Sequence, residues 1–188
     1  KNVPVPVNIK TVCPKTAQLI ISQFGGPDGE LAASMRYLSQ RYSMPCRKIS
    51  GLLTDIGTEE LAHLEIICSI IFQLTRNMKP EDARTAGFDA TISTNRRSVA
   101  QSAGGVPFNA CEFQSKGDAI TIEEDLSAEQ KARTTYDNLL RVITDPDVKA
   151  PLGSPRQGDC PFQRFGEALE QLKDSLDRKN YYYFNPEF

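Results

Sequence analysis

The 188-residue chain predicts an all-α fold: a four-helix bundle with a long crossover between helices two and three, and extended terminal arms. Three observations carry this expectation. Apolar residues recur at steps of three and four along separate stretches, the period of helices buried on one face. A connection over about 79–116 holds Pro80, Gly87, Gly104, Gly105 and Pro107 and has little periodicity, as a crossover along the outside of a bundle would. The seams of helices two and three also carry ionisable residues at mid-length, where a purely structural bundle would be apolar.

Residues 1–12 alternate proline with β-branched residues and are expected as an extended arm. Pro14 suits a helix start, because the N–H it lacks would go unbonded there. Leu19, Ile20 and Phe24 give this helix an apolar side, and GGPDG at 25–29 interrupts it. A second run follows, with Leu31, Met35, Leu38 and Tyr42 at steps of four, three and four, until Pro45. Helix two is expected over about 50–78, with the seam Leu53, Ile56, Glu60, His63, Ile67, Ile70 and Leu74. The crossover holds one short helix at 80–86. Helix three covers about 118–143, with Ile122, Asp125, Glu129, Ala132, Tyr136, Leu139 and Ile143 facing inward. TDPD at 144–147 reads as a turn, and 151–161 (PLGSPRQGDCP) as a segment full of helix breakers. Helix four covers 162–178, through Phe162, Phe165, Leu169, Leu172 and Leu176. The tail, 179–188, is rich in tyrosine and phenylalanine and is expected to pack on its own body or on a neighbouring subunit.

With 39% hydrophobic residues the chain can bury one good core, so 1–188 is expected as a single domain. A formal charge of −2, with Lys and Arg scattered, argues against nucleic acid as a partner. No apolar run is long enough to span a membrane and no signal-like segment opens the written chain, so synthesis in the cytoplasm is expected. Cys13, Cys46, Cys68, Cys111 and Cys160 are odd in number and form no C-x-x-C, and they read as ordinary thiols. One histidine and scattered cysteines give a zinc site or a Ser-His-Asp triad little to build on.

Glu60 and His63 stand one turn apart on the inward face of helix two. A Glu-x-x-His pair aimed into a bundle begins a helical di-iron or di-manganese site. By itself the pair reads rather as a buried hydrogen bond that holds register. Glu129 is a second inward carboxylate, at mid-helix three, whereas Glu123 and Glu124 fall on a solvated face. Glu30 heads the second run, where a carboxylate also favours the helix dipole without any further role. Three inward glutamates and an imidazole are costly to bury without cations between them. Glu30, Glu60, His63 and Glu129 therefore fit a ferritin-like bundle with a dinuclear site, and oxygen-rich donors suit manganese or iron. A di-iron oxidase or peroxidase shares this geometry.

GGPDGELAASMRYLSQRY (25–42), GLLTDIGTEELAHLE (51–65), GGVPF with QSKGD (104–118), DLSAEQKARTTYDNLL (125–140) and FQRFGEALEQL (162–172) strongly resemble the manganese catalases. The likeness covers most of 8–178 and is closer to the family's short spore-coat branch. It implies two manganese ions per chain, with Glu30 a terminal carboxylate ligand, Glu60 a bridging one, His63 the histidine on one metal and Glu129 the carboxylate facing them. It also implies disproportionation of hydrogen peroxide to water and oxygen, a homohexamer, a spore-coat location and other coat proteins as partners.

The chain departs from this pattern at one place. The family opens helix four with a second Glu-x-x-His, and those positions read Gly158 and Pro161 here. Taken literally, the second metal loses its histidine, and the resemblance then implies a catalytically impaired structural coat protein that keeps the fold. If residues 158–161 were encoded GGA, GAT, TGT and CCA, reading from the second base would give Glu-Ile-Val-His, so a local reading-frame error in the written sequence would account for the departure.

Overall fold

The computed structural model describes residues 6–87, 92–93, 97–98, 119–156 and 159–178. These residues form helices α1 (Pro14–Gly25), α2 (Glu30–Gln40), α3 (Arg47–Leu74) and α4 (Pro80–Thr85). They continue, after a short ribbon, with α5 (Ala119–Val142), α6 (Pro146–Arg156) and α7 (Asp159–Arg178). The ribbon pairs β1 (Ile92–Ser93) with β2 (Arg97–Ser98) antiparallel, Ile92 opposite Ser98. The all-α expectation holds, with α1 and α2 in the place of the first bundle helix. Helix α3 packs on α1 and α2, α5 packs on α7 and α6, and the two halves meet through α3–α6, α2–α5 and α3–α7.

The break between α1 and α2 depends on a glycine. A Cβ at Gly29 would lie 2.7 Å from the Ser22 carbonyl oxygen and 2.9 Å from that of Gln23. Only a residue without a side chain lets α2 begin so close to the end of α1. Gly57 does the same between helices, since its Cβ would lie 2.8 Å from Leu38 Cγ. The described part of the N-terminal arm lies along the C-terminal end of α3. Ile9 is fully buried, its N–H donates to Gln73 Oε1 (2.7 Å), and Gln73 Nε2 donates back to the Val7 carbonyl (2.8 Å).

The inward seams of α3 and α5 are placed as expected. Leu53, Ile56, Ile67, Ile70 and Leu74 are completely buried, as are Ile122, Tyr136 and Ile143 to within a few per cent. The run on α2 is corrected. Met35 is 47% exposed and Tyr42 81%, while Glu30, Ser34, Tyr37 and Gln40 face inward. Of that run Leu31 and Leu38 are half-buried, Leu38 against Gly57, and the inner face carries polar residues for the site. Leu19 on α1 and Phe162 on α7 are likewise exposed. Helix α3 also starts and ends earlier than expected, at Arg47 and Leu74.

The segment after α5 is also corrected, since it is a helix. Asp145 Oδ1 accepts the Asp147 N–H (2.9 Å), Pro146 occupies the first helical position, and Val148 and Leu152 are fully buried. A capping aspartate, an N1 proline and two buried residues four apart outweigh the prolines further along. Pro161 is the third residue of α7, where the N–H it lacks would have no intrahelical partner. Gly158, most of the crossover and the aromatic tail lie outside the described residues. Cys13, Cys46 and Cys68 are free thiols. Among the described residues no helix is long and apolar enough to cross a membrane.

Candidate metal centre

Apolar residues fill the bundle as two clusters. One contains Ile66, Ile67, Ile70, Leu74, Tyr136, Leu139 and Ile143, and the other Leu53, Ile56, Ile122, Phe165 and Leu172. On α3 the clusters are separated by Glu60 and His63, and on α5 by Glu129. The four candidate residues thus form a polar layer between two dry ones. Burying carboxylates there is costly unless they are paired, hydrogen-bonded or shared with a cation.

Glu30 is brought in by the Gly29 turn as the first residue of α2, and only 6% of its surface is exposed. Glu60 is 4% exposed. His63 Nδ1 lies 2.9 Å from Glu60 Oε2 and 3.6 Å from Glu30 Oε2, so two carboxylate oxygens converge on one ring nitrogen. Donor atoms of Glu30, Glu60 and His63 all fall within 4.8 Å of one another, close enough to hold a metal ion. Glu129 is outside that trio but lines the same cavity, of about 40 Å³, together with Ala33, Arg36, Arg133 and Phe162. At roughly 10–15 Å³ for each water-sized group, the cavity has room for only a few such groups.

Burial raises the Glu60 carboxyl well above the carboxylate range; the charges of Glu30 and Glu129 add to this, and the His63 bond opposes it. Burial likewise pushes Glu129 up to about 7, against its bond from Tyr37 and with the charge of Glu30. Glu30 is held low. Burial opposes this, but bonds from His63, Glu60 and Tyr136 outweigh it. His63 is pushed up to about 10, because Glu30 and Glu60 outweigh the effect of burial. Two carboxyls pushed toward protonation beside a positive imidazole mark a site rich in negative charge.

Two residues of this site were not singled out from the sequence. Tyr37 donates to Glu129 Oε1 (2.5 Å), and Tyr136 donates to Glu30 Oε1. Both are buried, and burial raises both phenols well above the usual value. Their signal was a repeated spacing, a tyrosine seven residues after each glutamate. Pro161 also lines the cavity, at the position where the resemblance requires a histidine, and it brings no donor.

Fold and site together define a helical bundle with a carboxylate-rich centre of the metal-binding kind. A family model described as manganese containing catalase matches residues 1–179. Protein CotJC of Bacillus subtilis strain 168 is 45% identical over 182 residues, covering 95% of this chain and 96% of that one. A probable manganese catalase of Clostridium acetobutylicum is 28% identical over 178 residues, 93% of this chain and 79% of its own. The crystal structure of KatB, a manganese catalase from Anabaena, matches with a TM-score of 0.81 at 29% identity, over 98% of this chain and 83% of that one. The chain belongs to the manganese catalase family.

Proposed function

We propose that this chain disproportionates hydrogen peroxide to water and oxygen at a pair of manganese ions held by Glu30, Glu60, His63 and Glu129. The observation that carries the proposal is the convergence of three glutamates from three helices and one imidazole on a single small cavity. This donor set fits the metal. It is oxygen-rich with one nitrogen, as manganese favours, and it concentrates negative charge that burial alone would protonate. When bound, the metal pair supplies the redox cycling that oxidises one peroxide to oxygen and reduces a second to water.

The chain's own residues supply the rest. Glu30, Glu60 and His63 would hold metal from one cluster, and Glu129 lines the same cavity from α5. The apolar clusters above and below exclude bulk water, which strengthens every charge interaction inside. A cavity of about 40 Å³ suits a molecule as small as peroxide. Family likeness alone selects manganese over iron, and a pair of iron ions would instead favour an oxidase. The likeness to CotJC supports a spore-coat setting, with other coat proteins as partners. Exposed Met35, Tyr42, Leu61 and Phe72 give a homohexamer apolar surface to bury.

A second reading rests on Pro161. With no donor from Pro161, the chain is a coat building block whose chemistry is impaired. Oxygen evolution from peroxide by the manganese-loaded chain separates the two. The first reading expects one oxygen for every two peroxides consumed. A loaded, folded chain that evolves no oxygen overturns it.

A further inference from the structure

Glu30 and Tyr37 stand seven residues apart on α2, and Glu129 and Tyr136 stand seven apart on α5. Seven residues are about two helical turns, so within each pair both side chains lie near one face. The hydrogen bonds cross between helices: Tyr37 bonds the glutamate of α5, and Tyr136 bonds the glutamate of α2. Tyr136 is 2% exposed, packs in the apolar cluster with Leu139 and Ile143, and lines the cavity beside Glu30. It takes Oε1 of Glu30, and Oε2 of the same carboxylate faces His63 Nδ1 at 3.6 Å.

We propose that Tyr136 is a positioning residue for divalent cation binding: by holding Oε1 of Glu30 it fixes which oxygen is presented to His63 and the cavity. This rests on the metal centre proposed above and adds a role to a residue outside the ligand set. Rotating Glu30 would break this buried hydrogen bond between α2 and α5, which is penalised. The carboxylate is therefore pre-set before any cation arrives. The crossed pairing also ties α2 to α5, so the geometry of Glu30 depends on a helix remote in sequence.

The test is manganese affinity, measured by titration of the metal-free chain and of Y136F, with the melting temperature of each metal-free protein recorded alongside. Loss of a partner that orients a ligand lowers metal affinity about 10–100-fold, and that loss is expected here. The rise in melting temperature on adding manganese should shrink in parallel. A ring-fluorinated tyrosine at 136 keeps the ring and the hydroxyl, and hence the fold, but alters donor strength; it should also shift the affinity. If Y136F folds and binds manganese as tightly as the unaltered chain, the role of Tyr136 is overturned. If Y136F does not fold, an unchanged affinity in the fluorinated protein overturns it. If the unaltered chain binds no manganese, the metal centre itself falls, and this inference with it.

Discussion

Asp125 lies one turn before Glu129 on α5, completely buried. Its Oδ1 accepts a hydrogen bond from Gln40 Nε2 (3.1 Å), and its Oδ2 meets no donor among the described residues. Burial pushes its pKa from 3.8 up to about 7; Gln40 and Arg36 oppose this, and Glu129 and Glu124 add to it. The folded chain therefore keeps a proton that the unfolded chain gives up. Its stability is highest below the unfolded value and is lost as pH rises through the folded one. A displacement of about 3 in pKa corresponds to about 4 kcal/mol. Asp125→Asn removes the charge but leaves an amide donor to be satisfied, at a cost of about 1–3 kcal/mol. The metal-free variant should thus be more stable than the unaltered chain by about 2 kcal/mol near pH 8, and less stable by about 1–3 kcal/mol near pH 4. Urea unfolding at both pH values measures this. A difference between the two chains that does not change with pH would refute the reasoning.

Four other outcomes are expected. His63→Ala removes the one nitrogen donor and should abolish tight manganese binding, read by metal analysis after gel filtration. Leu53→Ala, in the fully buried cluster beside the site, should cost about 2–5 kcal/mol in thermal unfolding, with manganese per chain unchanged. Gly29→Ala places a methyl against two backbone carbonyls and should displace the start of α2, lowering both melting temperature and manganese affinity. Pro161→His adds a donor at the cavity wall and should strengthen binding of the second manganese ion in a two-site titration.

Much of this architecture was legible because α3 and α5 each carry one strong seam, and most of each seam is buried, with His63, Glu129 and Ala132 half-buried. Glu60 and His63 on α3, and Asp125 and Glu129 on α5, stood out as ionisable breaks in otherwise largely apolar lines. Helix α2 misled for the opposite reason. Its inward face is Glu30, Ser34, Tyr37 and Gln40, so a search for an apolar stripe found the outer one through Met35 and Tyr42. Asp145 and Pro146 look like a turn but are equally a cap and a first helical residue, and only the burial of Val148 and Leu152 favours the helix. The crossed tyrosine bonds depend on how α2 and α5 sit against each other, which no local pattern encodes. Tyr136 was placed inward by its seam, yet its partner, 106 positions away, was invisible.

Metal content per chain, measured by elemental analysis on the purified protein, tests the central claim most directly. The account predicts two manganese ions per chain, held through Glu30, Glu60, His63 and Glu129. Iron in their place, or a folded chain carrying one ion or none after exposure to manganese, would contradict it.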